Sequence, residues 1–208
     1  MFMKRIITAL TVICLCLAAS AAKTKTVTAE SILAGLRSNI ATAHSVDAVF
    51  TINTDKGPLQ GSVILAGDKY QMSTPELEVW YDGKTQWTLS HSSKEVNVTT
   101  PDADERMASN PFAILTAGKG YYTARRLADS KGNYTVQLTP TDKTSTVSSF
   151  IIYVRPADKW PAAITVNFED GRRIEITVDR IAAGKARQAS IFRYNKARYP
   201  GFEIIDLR

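Results

Sequence analysis

The chain holds two histidines, His44 and His91, and a hydrolase would need one of them beside a nucleophile or within a metal cluster. His44 closes a helical pattern and His91 falls in a turn, so their spacing offers no shared metal site. A structural or solvent-facing role fits both. No G-x-S-x-G elbow, H-E-x-x-H helix or phosphate-cradling glycine loop occurs. The one S-x-x-K match runs from Ser20 to Lys23, inside a small-residue zone near the amino terminus. Gly118-Lys119-Gly120 reads as a helix stop, because no third glycine follows. Asp102, Asp104 and Glu105 could form a cation site or an acid/base pair. At the start of a helix they are better explained as cap and dipole partners. The residues point to no catalytic group, no metal and no cofactor.

Residues 1–22 have the pattern of a secretory signal: Met3-Lys4-Arg5, an apolar run over 6–19, and Ala19-Ser20-Ala21-Ala22 as the cleavage zone. The run is shorter than the roughly 20 residues of a spanning helix. Both cysteines, Cys14 and Cys16, lie inside it. Each follows a bulky residue, Ile13 or Leu15, where lipid attachment would want a small one. The mature chain, residues 23–208, is therefore expected to lack thiols and to hold its fold by its core alone. Its length suits one domain. Losing Lys4 and Arg5 lowers the formal charge of +6 by two. The remaining basic residues are scattered (Arg125-Arg126, Arg172-Arg173, Lys185, Arg187), which excludes a nucleic-acid footprint.

The elements that must position any site follow from periodicity. Thr28-Ala29-Glu30-Ser31 opens a helix over 29–40, with Ile32, Leu33, Leu36 and Ile40 on one face. From Val46 the period becomes two: Val46, Ala48, Phe50 and Ile52 alternate with polar residues. Further strands are expected at 60–66, 69–73, 76–81, 85–90, 94–99, 121–128, 133–139, 147–154, 162–169, 173–180 and 189–194. Turn signals between them predict an antiparallel meander. The segment 101–120 interrupts it. Asp102 caps a short helix through Met107, Asn110-Pro111 starts a second, and Gly118 ends it. These short helices must lie across a sheet face or edge.

A one-residue slip moves a strand's whole apolar set to the opposite face, so register matters. A three-residue loop, Asp82-Gly83-Lys84, pairs Tyr81 with Thr85, Val79 with Trp87 and Leu77 with Leu89, gathering one apolar face. The turn at Ser92-Ser93 extends that face by pairing Leu89 with Val96 and Trp87 with Val98. Trp80 then falls on the other face beside Glu76 and Glu78, covering a neighbouring strand or half exposed. Asp170-Gly171-Arg172 aligns Ile164, Val166 and Phe168 with Val178, Ile176 and Ile174. Two readings of this broad apolar surface stand: an ordinary core under the helices, or a hollow too large for them to seal, which holds a ligand.

In "VWYDGKTQW", "NPFAIL", "YTVQLTP" and the closing "YPGFEIIDLR", the sequence resembles the periplasmic outer-membrane lipoprotein carriers, the LolA-like family. The likeness covers nearly the whole mature chain in order. It implies an open, curved antiparallel half-barrel with an amino-terminal helix and short lid helices over the concave face. It also implies a periplasmic, monomeric, non-catalytic carrier without cofactors that shelters acyl chains. The implied partners are lipidated proteins, an inner-membrane export complex and an outer-membrane acceptor. The implied lining is Phe50, Ile52, Leu77, Val79, Tyr81, Trp87, Leu89, Val96, Val98, Val136 and Leu138 on the sheet, with Phe112, Ile114 and Leu115 on the lid. Where the family often has an Arg-Pro latch before the strand of Tyr70, this chain has Ala66-Gly67. That departure admits a carrier of another lipid; the alternative from another class is a lipid- or lipoprotein-sensing regulatory domain on the same fold, which would need a second domain or a membrane tether.

Overall fold

The computed structural model describes residues 26–118 and 120–208. The expected secretory signal, with Cys14 and Cys16, lies outside them, as does Lys119 of the Gly-Lys-Gly stop. Helix α1, Ala29–Thr42, begins where the Thr28 hydroxyl accepts a hydrogen bond from the Ser31 amide and the Ser31 hydroxyl accepts one from the Thr28 amide, a reciprocal cap. Its face of Ala29, Ile32, Leu33 and Leu36 is buried.

The strands are β1 Ser45–Thr54, β2 Gly57–Ala66, β3 Lys69–Ser73, β4 Leu77–Tyr81, β5 Gln86–Ser90 and β6 Glu95–Thr99, followed after the lid by β7 Tyr122–Ser130, β8 Asn133–Pro140, β9 Val147–Val154, β10 Pro161–Phe168, β11 Arg173–Gly184 and β12 Glu203–Asp206. They form one open twelve-stranded sheet in the order β12-β6-β5-β4-β3-β2-β1-β11-β10-β9-β8-β7. Every pairing is antiparallel except β12 with β6. This mostly-β half-barrel, with helices over its inner face, matches the fold expected from the sequence. No helix among the described residues is long and apolar enough to cross a membrane.

Cross-strand partners share a face, so register assigns the inner layer. One inner row reads Val136, Ile152, Ile164, Ile176 and Ile52 across β8, β9, β10, β11 and β1. Another reads Val46, Leu65, Tyr70, Tyr81 and Gln86 across β1 to β5. At Gly61 the Phe50 ring lies against the backbone: a Cβ there would sit 2.5 Å from Phe50 Cζ. Glycine is what lets that ring bury.

The β4–β5 register differs from expectation by one residue. The Asp82 carboxylate accepts from the amides of Lys84 (3.1 Å) and Thr85 (3.0 Å), and the Asp82 amide donates to the Thr85 carbonyl at 3.2 Å. Thr85 is thereby drawn into the turn, as side-chain capture of nearby amides does. Tyr81 then faces Gln86 and Trp80 faces Trp87. Trp87 and Leu89, with their β6 partners Val98 and Val96, accordingly share the face of Trp80 and lie opposite Val79 and Tyr81. At the Asp170 turn the slip is two residues, Ile164 pairing Ile176 and Val166 pairing Ile174. A shift of two preserves the face.

Two further differences lie in the tail. Residues 189–194 form no strand: Ala189–Phe192 is a 3-10 turn, closed by the Ile191 amide on the Gln188 carbonyl. Its apolar pair Ile191-Phe192 is adjacent rather than alternating. Strand β12 has no hairpin signal because it returns in parallel to β6.

Candidate functional site

The lid is helix α2, Ala103–Ser109, followed by the 3-10 helix Pro111–Leu115. Asp102 and Glu105 cap the first reciprocally, each side chain bonding the other's amide at 2.9 Å. Asn110 caps the second through the Phe112 amide at 3.1 Å, and Pro111 supplies the fixed φ of a first helical position. The caps aim Phe112, Ile114 and Leu115 at the sheet, where they are 0, 3 and 3% exposed. Phe112 meets Phe50 with ring centroids 5.2 Å apart. The inner face is thus filled by the lid's own side chains.

Polar contacts pin the lid at both ends. At one end the Asp104 carboxylate accepts from the Ser145 hydroxyl and from Thr146, whose amide and hydroxyl lie at 3.2 and 3.3 Å. At the other, Arg106 Nη1 donates to the Tyr81 hydroxyl at 3.2 Å, with the guanidinium 5.4 Å from the ring centroid. The Tyr70 hydroxyl (2.6 Å) and the Ser109 hydroxyl (3.2 Å) both donate to Gln86 Oε1. Tyr70 stacks on Tyr81 at 5.3 Å. Desolvation pushes the Tyr70 hydroxyl up to about 12, more than the Ser109 bond and the Arg106 charge lower it. Arg106 of the lid supplies a cation at this margin, and Lys69 at the start of β3 lines the same cleft, while Ala66-Gly67 provides none.

Beside this clasp lies a cleft of about 200 Å³ between α2, the 3-10 helix and the β2–β3 turn, lined by Leu65, Lys69, Tyr70, Arg106, Met107 and Ala113 among others. That is below the roughly 300–1,000 Å³ of an ordinary ligand pocket. Under the short helices the hollow read from the sequence is filled, while a wider opening of about 590 Å³ remains between α1 and β7, lined by Leu33, Ala34, Arg37, Tyr122 and Ala124 among others.

Of the residues assigned to the lining, Phe50, Ile52, Val79, Tyr81, Val136 and Leu138 lie on the inner face with Phe112, Ile114 and Leu115. Leu77 opens β4 at 41% exposure. Trp87, Leu89, Val96 and Val98 lie on the outer face, where Trp80, Leu89 and Val96 form a second cluster with Trp87, Tyr194, Tyr199 and Phe202. Trp80 is 6% exposed there, covered rather than half exposed. The clasp of Tyr70, Gln86, Arg106 and Ser109 escaped the sequence reading. The mistaken register put Gln86 on the wrong face; its burial at 7% was the missing signal.

His91 does meet a carboxylate, Glu78, at 3.3 Å, but on an exposed turn with its ring edge-on to Phe202. No hydroxyl among the described residues bonds either histidine. The candidate site is therefore the lid–sheet interface, built to exclude water from apolar matter.

Residues 17–171 match the family model described as outer membrane lipoprotein carrier protein LolA. No curated protein matches the chain. An uncharacterized conserved protein from Thermus thermophilus is similar in fold, with a TM-score of 0.56 at 11% identity, over 86% of this chain and 98% of that one. A LolA superfamily protein from Nitrosomonas europaea gives a TM-score of 0.47 at 14% identity, covering 81% and 99% of the two chains. A putative outer membrane lipoprotein-sorting protein domain from Vibrio parahaemolyticus gives 0.45 at 12% identity, covering 79% and 97%.

Proposed function

This chain belongs to the family of the outer membrane lipoprotein carrier protein LolA, and on that premise we propose that it is a periplasmic carrier. It takes the acyl chains of lipidated proteins under its lid and moves them from the inner to the outer membrane, by binding and without catalysis. An inner-membrane export complex loads it, an outer-membrane acceptor unloads it, and it works as a monomer of one domain, residues 23–208.

The observation that carries this reading is the construction of the lid: an apolar wedge, Phe112, Ile114 and Leu115, tethered at its margins by polar contacts. Polar margins of this kind suit a lid that parts from the sheet, because water satisfies the clasp groups once they separate. Arg106 is the latch in this account.

Magnitudes decide whether cargo can displace the wedge. Burying three such side chains is worth roughly 5–9 kcal/mol at about 1.5–3 each. An acyl chain of roughly 15 methylenes contributes about 12 kcal/mol at about 0.8 per methylene. Exchange of wedge for chain is therefore favourable by a modest margin, which permits release.

The test is calorimetric titration with a diacylated lipopeptide and with the same peptide lacking its acyl chains. Saturable binding of the first alone supports the carrier. Equal binding of both contradicts it.

A further inference from the structure

Beyond β11 the tail crosses the outer face of β2 to β4, the face turned away from the lid, and leaves a pocket of about 450 Å³ beneath it. Its floor is the register row Ile64, Gln71 and Trp80. Its wall carries three arginines of the tail, Arg187, Arg193 and Arg198. All three lie past residue 171, where the family match ends.

Three carboxylates, Asp47, Asp82 and Glu78, offset the three arginines in number, but Asp47 and Asp82 stand outside the pocket lining. Its lining has one carboxylate, Glu78, and both oxygens of that group are engaged: Oε2 accepts from the Tyr199 hydroxyl at 2.8 Å and Oε1 lies 3.3 Å from His91 Nε2. Arg187 pairs with Asp47 through Nη2, and Arg193 with Asp82 through Nε at 2.9 Å. Arg198 has no side-chain partner among the described residues. A guanidinium carries five donors, so most of those around the pocket remain unused.

We propose that this pocket binds an organic phosphate, its phosphoryl group held among Arg187, Arg193 and Arg198 and its organic part against Trp80 and Ile64. A planar carboxylate is saturated by one guanidinium fork. Forks brought from separate points of a chain suit a tetrahedral anion with oxygens in several directions. The volume exceeds that of a phosphate alone, and the indole of Trp80 gives the remainder an apolar wall. The phosphoryl group belongs to a soluble phosphate ester or to a phospholipid headgroup; the chemistry recognised is the same.

The experiment is calorimetric titration of the protein with phenyl phosphate and inorganic phosphate, and sedimentation with phosphatidylglycerol vesicles against phosphatidylcholine vesicles. Saturable binding of phenyl phosphate, tighter than inorganic phosphate, supports the pocket with a soluble source. Selective sedimentation with phosphatidylglycerol supports it with a headgroup source. In either case Arg198→Gln lowers affinity about tenfold or more without changing thermal unfolding, while Arg172→Gln on a distant turn leaves it unchanged. Absence of binding to every phosphate, an equal loss in the two variants, or preference for an acidic peptide over phosphate overturns the proposal.

Discussion

Arg106 of the lid donates to the Tyr81 hydroxyl at 3.2 Å while its guanidinium lies 5.4 Å from the centre of the same ring. One lid residue thus holds one sheet residue through both a hydrogen bond and the ring's negative face. A cation over an aromatic ring contributes about 0.5–2 kcal/mol. Arg106→Gln should therefore raise the open population of the lid by roughly 2- to 30-fold. Amide hydrogen exchange over 103–109 reads this directly. Global unfolding should move much less than lid exchange.

Phe112 is fully buried against Phe50. Phe112→Ala should reduce stability to denaturant by about 3–5 kcal/mol, the usual cost of deleting a buried aromatic side chain. A change under about 1 kcal/mol would mean that the wedge is not seated on the sheet in solution.

Gly61 is sterically committed to Phe50. An added Cβ would lie 2.5 Å from Phe50 Cζ and 2.9 Å from the Ser73 carbonyl. Gly61→Ala should destabilise by about 1–3 kcal/mol, as overpacking does. Part of that loss should return with Phe50→Leu, and a double-mutant cycle measures the coupling.

Desolvation raises the Tyr70 hydroxyl from its ordinary 10.0 to about 12. The folded state therefore keeps a proton that the unfolded chain releases first. The contribution is complete below pH 10 and is lost as pH rises through 12. The stability difference between the protein and Tyr70→Phe should be constant to about pH 10 and shrink above it. Tyr199, raised to about 12 by burial and by its bond to Glu78, should behave alike in Tyr199→Phe.

Much of this architecture is legible in the residues. The Thr28 cap, the Asp102 and Asn110-Pro111 starts and the alternation of Val46, Ala48 and Phe50 each act locally, and each appears where its chemistry places it. Register is another matter, because a side chain can lengthen a turn. Asp82 captures two amides and flips Trp87 and Leu89 to the outer face, while the two-residue slip at Asp170 changes no face at all. The wedge of Phe112, Ile114 and Leu115 was readable from its capped start. The clasp was not, since Gln86 can be recognised as buried only once its strand is correctly aligned. The outer cluster around Trp80 depends on Tyr194 and Tyr199, far along the chain and brought back by a parallel strand that leaves no local signal.

In the proposed carrier, cargo enters only when the lid leaves the sheet. Ser109 Oγ and Gln86 Oε1 are 3.2 Å apart across that boundary, so Ser109→Cys with Gln86→Cys, in a protein with Cys14 and Cys16 replaced by Ala, places two thiols that a short bis-methanethiosulfonate linker can join, tethering lid to sheet reversibly. Uptake of a fluorescent diacylated lipopeptide should be abolished in the cross-linked form and restored by reducing the linker; equal uptake in both forms would rule the lid out as the entrance.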